Sequence, residues 1–235
     1  MGNGYVNRMR SPGRRTGPKP GFSYEDVVTA ALEIGIRDFT LAEVAKRLGV
    51  GAPALYRTIE SRDDLLRGCL KRLAQENDFI VPDGSWADVL HYQGYWLWDL
   101  MERHPGLAET FLTVTWAHHY FAHYVRRCAD ALVERGLSPD DATFAQDFIA
   151  DTVFCTHLVI EAYRFREPED GEGRNPGENG RGRTGLEAAV ENFAREEVAQ
   201  QMPEQLVPND EWVSRGFLDR KIAFIIEGMA RQVGG

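Results

Sequence analysis

Cysteine is scarce. Cys69, Cys128 and Cys155 are the three thiols in 235 residues, and their odd number and wide spacing exclude a disulfide framework or zinc knuckle and fit a reducing compartment. No apolar run is long enough to span a bilayer, and the polar, basic N-terminus does not read as a signal peptide. A cytoplasmic protein with no membrane partner is expected. Catalytic signatures are missing too: there is no nucleophile elbow, phosphate loop, paired-acid motif or dinucleotide fingerprint, so neither enzyme activity nor a cofactor is expected. Acidic residues are absent from positions 1–22, which hold five basic groups.

What is present is a polarised chain. Its formal charge is −9, yet residues 1–80 carry 13 Lys+Arg against 10 Asp+Glu, a net of +3 that leaves −12 for the remainder. Acidity is confined to a part that need not touch phosphate, where it discourages nonspecific sticking to nucleic acid. With 43% hydrophobic residues the chain can bury one moderate or two small cores.

The most informative stretch is Thr40 to Arg62, TLAEVAKRLGVGAPALYRTIESR. Thr40 and Glu43 form a capping box, and Leu41, Val44, Ala45 and Leu48 repeat at helical spacing on one face. Gly49-Val50-Gly51 then breaks the helix where the chain must turn, leaving an apolar residue to tuck inward. A second helix follows, with Pro53 in its first turn and Leu55 and Ile59 pointing inward. Pro53, Tyr56 and Arg57 are thereby turned outward. A helix-turn-helix that buries one side and offers an amphipathic aromatic and a cation on the other suits a DNA groove.

These residues resemble the tetracycline-repressor (TetR) family of transcriptional regulators. The resemblance rests on the helix entering at Phe22-Ser23-Tyr24, the VAKRLGV run, ALYR and the SRDDLL that opens the next helix, and it covers roughly the first third of the chain. Gly51 and Ala52 stand where the family usually places polar residues, and Thr58-Ile59 replaces a more usual histidine-aromatic pair. The resemblance implies an all-α fold: a three-helix helix-turn-helix DNA-binding domain, then a helical bundle for ligand binding and dimerisation.

In order, residues 1–21 read as a flexible basic arm, including Lys19, that tracks phosphate or enters the minor groove; a solubilising tail is the plainer reading. Residues 22–80 form the DNA-binding domain and its connecting helix, with Ser23 capping the first helix and Ser61 the fourth. Residues 81–235 form the effector-binding and dimerisation domain. Helices are expected from Ser85 to His104, Leu107 to about Trp116, His118 to Arg135, Ser138 to about Phe165, Leu186 to Gln201 and Glu211 to Val233. The Ser138 and Glu211 helices are apolar on two sides, which predicts one face for the domain's own core and one for a partner subunit in an intermolecular four-helix bundle. Residues 166–185, rich in glycine and charge, read as a mobile loop that either gates a ligand site or is a tolerated insertion.

The expected DNA contacts are Lys19, Thr40, Gly51, Ala52, Pro53, Ala54, Tyr56, Arg57 and Arg62. Tyr56, Arg57 and Arg62 would serve chiefly phosphates, Gly51 would allow close backbone approach, and Ala52, Pro53 and Ala54 would make apolar contacts. So donor-poor a reading surface shifts specificity toward the arm and DNA shape. Aromatics crowd the body, and an apolar cavity with a polar edge is expected among them. Its candidate lining is Trp96, Phe111, Trp116, His119, Phe148, Asp151, Thr152 and Cys155. His119 and His123 sit one turn apart, but nothing completes a coordination set, so no metal is expected. The resulting expectation is a homodimeric repressor released from a double-stranded DNA operator by a small hydrophobic or aromatic effector. A metal-responsive or ligand-independent regulator, or an all-helical enzyme, are the alternatives.

Overall fold

A computed structural model of the chain describes residues 21–166, 183–197 and 201–233. Lys19, the rest of the basic arm before Gly21, and most of the 166–185 segment lie outside the described residues. The described residues form ten α-helices: α1 (Tyr24–Ile34), α2 (Leu41–Arg47), α3 (Ala52–Leu55), α4 (Arg62–Glu76), α5 (Trp86–Arg103), α6 (Leu107–Thr113), α7 (Ala122–Glu134), α8 (Pro139–Arg164), α9 (Gly185–Arg195) and α10 (Leu218–Val233). Among them β structure is limited to one antiparallel bridge, Arg166 with Thr184, which closes the base of the 166–185 segment.

Helix starts follow local capping chemistry. Ser23, Thr40, Ser85 and Thr184 each accept from a backbone N–H three residues on, and the acidic residue there returns the bond to the cap. Ser61 and Ser138 cap α4 and α8 with a side-chain oxygen. Each such cap satisfies donors that would otherwise lack partners, contributing about 1 kcal/mol.

Three helices differ from the sequence expectation. The stretch expected as one helix from His118 splits into a 3-10 turn, Ala117–Phe121, and then α7. The tighter turn buries Ala117 and Phe121 and sets the Phe121 ring edge-on to Phe111 at 5.2 Å. The last helix begins at Leu218 rather than Glu211, because the amides of Ser214 and Gly216 fold back on the Glu211 carbonyl (3.2 and 3.1 Å) instead of continuing the spiral. Helix α9 ends at Arg195, short of Gln201, and buries no residue completely.

One hydrophobic core runs from Val27 to Met229. Helix α4 joins its two ends, packing on α1 in the head and on the 117–121 turn in the body. Helix α8 is the axis of the body, lying against α5, α6, α7 and α10. Its Ala142, Ala145, Ile149, Val153 and Ile160 are buried, whereas Phe144 and Phe148 remain 54% and 47% exposed and Val159 is also exposed. Helix α10 repeats the pattern, burying Leu218, Ile222 and Met229 and exposing Phe224 to 76%. Sustained exposure of large apolar residues along one face of two helices is not a monomer's usual economy of surface.

Candidate nucleic-acid interface and ligand cavity

In the head, Gly49 takes φ +68° after α2 and the Val50 amide reaches back to the Ala45 carbonyl at 2.9 Å. This left-handed closure ends α2 sharply and aims the chain into α3. Helix α3 is a single turn; the amides of Arg57 and Thr58 continue it as a tighter coil onto the Ala54 and Leu55 carbonyls (3.2 and 2.8 Å), and the Ile59 amide also returns to Leu55 (3.1 Å). Leu55 and Ile59 are buried beneath it. Gly51, Ala52, Pro53 and Arg57 are exposed, Ala54 is half-buried, and Tyr56 is 56% exposed. Among the described residues Tyr56 and Arg57 have no hydrogen-bond or ion-pair partner, so a phenol and a guanidinium project side by side with their polar atoms free.

Two other head candidates have internal work. The Thr40 hydroxyl is exposed but donates to Glu43 at 2.7 Å as part of the α2 cap. Arg62 is exposed and also makes internal contacts. Its guanidinium donates to the carbonyls of Phe39 (3.4 Å) and Arg37 (3.2 Å) and lies 4.5 Å over the Phe39 ring. It pins the start of α4 to the α1–α2 connection. Lys46 is exposed in the last turn of α2.

In the body a cavity of about 300 Å³ opens between α5, α6, α7 and α8. Gln93, Leu97 and Leu100 of α5, Phe111 and Leu112 of α6, and His118 and Phe121 of the intervening turn form part of its wall. Tyr124 and Val125 of α7 and Thr143, Gln146, Asp147, Ala150, Asp151 and Phe154 of α8 complete it. Gln93 organises the deep end: its Nε2 donates to the Tyr124 hydroxyl (2.7 Å) and the Gln146 carbonyl (2.8 Å), and its Oε1 accepts from the Cys128 thiol (3.6 Å). Burial holds the Tyr124 phenol well above its ordinary pKa and pushes the Cys128 thiol up to about 12, so both stay protonated donors. The Asp151 carboxyl is raised by burial and then by the neighbouring Asp147 charge.

Of the eight candidate lining residues, Phe111 and Asp151 reach this cavity. The other six lie outside its wall, by helical phase or by layer. On α8 the lining positions 143, 146, 147, 150, 151 and 154 follow the i, i+3, i+4 rule. Phe148, Thr152 and Cys155 are rotated off that stripe, and Phe148 and Cys155 lie on the exposed face. Trp96 belongs to the layer beneath, stacked on Tyr124 at 4.6 Å, edge-on to Phe79 at 5.4 Å, its indole N–H donating to the Asp78 carbonyl at 3.2 Å. Trp116 lies under the Arg67 guanidinium of α4 at 4.0 Å, and His119 is exposed beside His118, which takes its place in the wall. The residues missed, Gln93 and Gln146, did leave a signal: each is an amide set among apolar residues at helical spacing. Among the described residues no three His, Cys, Asp or Glu side chains gather as metal ligands, and no helix is long and apolar enough to cross a membrane.

Two joints connect cavity and head. One is the Arg67–Trp116 contact. The other is polar: Glu161 of α8 accepts from the Gly106 amide at 2.9 Å, and Gly106 (φ +84°) sits so close to Arg37 of the head that a β-carbon there would collide with the Arg37 side chain. Behind it His157, 2% exposed, meets Glu102 at 2.9 Å, and Arg164 bonds the same Glu102 oxygen at 2.6 Å. Burial lowers the His157 pKa against the opposing pull of Glu161 and Glu102.

No protein-family model matches the chain. It is 34% identical over 106 residues to the HTH-type transcriptional repressor DrrR1 of Streptomyces coeruleorubidus, a match that covers 43% of this chain and 38% of that relative's length. Among solved structures it is similar to the TetR-family protein ActR of Streptomyces coelicolor. The complex with (S)-DNPA is 18% identical with a TM-score of 0.55, covering 90% of this chain and 97% of that one. Apo ActR is 18% identical with a TM-score of 0.58, covering 91% and 99%. The chain thus has the all-α fold of a TetR-family protein.

Proposed function

We propose that this chain is a sequence-specific DNA-binding repressor that acts as a homodimer and leaves its operator when a small molecule fills the body cavity. The observation that carries the reading is the pair Tyr56 and Arg57, held outward by the buried Leu55 and Ile59 with no partner of their own. An exposed aromatic beside a free cation, on a helix-turn-helix backed by a rigid core, matches what a DNA groove requires. The likeness to DrrR1, named as a transcriptional repressor, supports the regulatory role, and the ActR–(S)-DNPA complex supports a body that takes ligands. A regulator rather than an enzyme, at work in the cytoplasm, follows from the same reading.

The division of labour is residues 22–80 for DNA and 81–235 for effector and partner. Phe144, Phe148 and Val159 of α8 with Phe224 of α10 supply an apolar face for a second copy, giving two-fold symmetry. Two heads then enter successive major grooves about 34–36 Å apart on a near-palindromic site. Gly51, Ala52, Pro53 and Ala54 approach bases with apolar surface, while Tyr56 and Arg57 supply the polar contacts and Lys19 extends them along the backbone. An effector acts only if it binds one head spacing better than the other. The Arg67–Trp116 and Gly106–Arg37 joints are where such a preference is passed to α4.

The test is selection of a binding site from random duplexes followed by anisotropy titration. Tyr56→Ala with Arg57→Ala is expected to lose site-specific binding while circular dichroism and dimer mass are unchanged. Retention of wild-type affinity by that variant would defeat the DNA reading.

A further inference from the structure

The walls of the cavity are unevenly charged. Asp147 and Asp151 lie one helical turn apart on the face of α8 that borders it, and neither has a hydrogen-bond or ion-pair partner among the described residues. Among the described residues no lysine or arginine contributes to the wall, and His118 and the neutral Tyr124 are its other titratable groups. The same wall carries the rings of Phe111, Phe121 and Phe154, with Phe111 and Phe154 stacked at 5.0 Å and 19° and Phe121 edge-on to Phe111. A second, independent feature lies in the same wall: Gln146 is 6% exposed, lines the cavity, and its Oε1 has no donor among the described residues. A buried amide oxygen left without a donor costs on the order of 1–3 kcal/mol until one arrives.

We infer that the effector is an alkylamine cation carried by a flat aromatic ring: its ring system lies against Phe111 and Phe154, its ammonium meets Asp147 and Asp151, and a further N–H or O–H reaches Gln146. The inference rests on the proposal that the body cavity controls DNA binding. Each element of the wall supplies one part of the recognition. Stacked phenyl faces favour a flat ring, and their electron-rich faces also favour positive charge. Two carboxylates one helical turn apart repel each other, a pull that adds to burial in raising the Asp151 carboxyl, and a cation between them relieves that repulsion. An anion of the same shape would instead add a third negative charge.

A charge series on one ring tests this: calorimetric titration of the full-length protein with 1-naphthylmethylamine, 1-naphthylmethanol and 1-naphthoate. The amine is expected to bind about tenfold more tightly than the alcohol, and the carboxylate more weakly than either. Asp147→Asn with Asp151→Asn is expected to erase the amine's advantage while the alcohol still binds, and the advantage is expected to shrink as salt rises. Equal affinity across the series, or an advantage that survives both substitutions, overturns the charge recognition and leaves the cavity as a ligand site. No binding by any of the three overturns both. An amine that binds as described but does not weaken operator binding sinks the regulatory reading instead, and leaves the chemistry of the site standing.

Discussion

The head and the body expose aromatic residues in opposite ways. The head exposes one, Tyr56, beside a cation and among small residues, on a surface with free polar atoms. The body exposes Phe144, Phe148 and Phe224 along two helices, with Val159 in line and no hydroxyl or indole among the rings. A phenol can slide along phosphates and bases and still hydrogen-bond; a phenyl stripe has nothing to offer but area. Under the proposed function the contrast separates a surface for a polar polymer from one for a second copy of the chain. The same proposal gives one helix, α8, two partners, with the effector on the 143–154 stripe and the other subunit on the stripe rotated from it.

The sharpest way to break the comparison is to put charge on the body's face. Phe148→Glu with Phe224→Glu is expected to yield a monomer by light scattering and to weaken operator binding by about a hundredfold or more, since two half-sites no longer act together. A dimer that persists would mean the stripe is not the interface. Next in size, Tyr56→Ala with Arg57→Ala should cost about 2–4 kcal/mol of specific operator affinity by anisotropy, with no change in dimer mass, because both side chains are exposed and have no hydrogen-bond or ion-pair partner among the described residues. The joint between the regions comes third. Gly106→Ala places a β-carbon against Arg37 at a positive φ and is expected to lower unfolding free energy by about 1–3 kcal/mol in urea.

Two smaller effects sharpen the picture. Because the folded-state pKa of His157 lies below its ordinary value, the unfolded chain binds more protons in acid. Its contribution is therefore complete above the unfolded pKa near 6.5 and is lost as pH falls through the lowered folded value. The urea midpoint should drop between pH 7.5 and 5.5, and His157→Gln should flatten that drop. Smallest of all, Arg62→Ala is expected to cost about 1 kcal/mol of stability through its lost carbonyl and ring contacts, with operator affinity changed far less than by the Tyr56 and Arg57 pair. Equal losses from Arg62 and Arg57 would return Arg62 to the DNA.

Local chemistry was readable where a short stretch decides its own conformation. The caps at Ser23, Thr40, Ser61, Ser85 and Ser138, the break at Gly49 and the outward turn of Tyr56 all depend on neighbours within a few residues. The cavity wall is less legible, for one reason. Phe148, Thr152 and Cys155 lie on α8 but off its lining stripe, since a helix apolar on two sides does not say which side meets its own domain. Trp96 and Trp116 are large and central in the letters, yet Phe79 and Tyr124 enclose one and Arg67 covers the other. The internal contacts of Arg62 are hidden from the sequence because the Phe39 ring and two carbonyls it meets come from another connection.

From sequence alone came an all-helical chain whose basic, turn-broken front is distinct from its acidic remainder, because caps, helical periodicity and charge are properties of neighbours. What faces what required the tertiary structure. The pairing of Asp147 and Asp151 with rings from α6 and the 117–121 turn, the unpartnered Gln146 oxygen, and the Glu161–Gly106–Arg37 contact between body and head all join residues far apart in the chain. Packing of one helix against several others sets its rotation about its own axis, and no window along the chain contains that information.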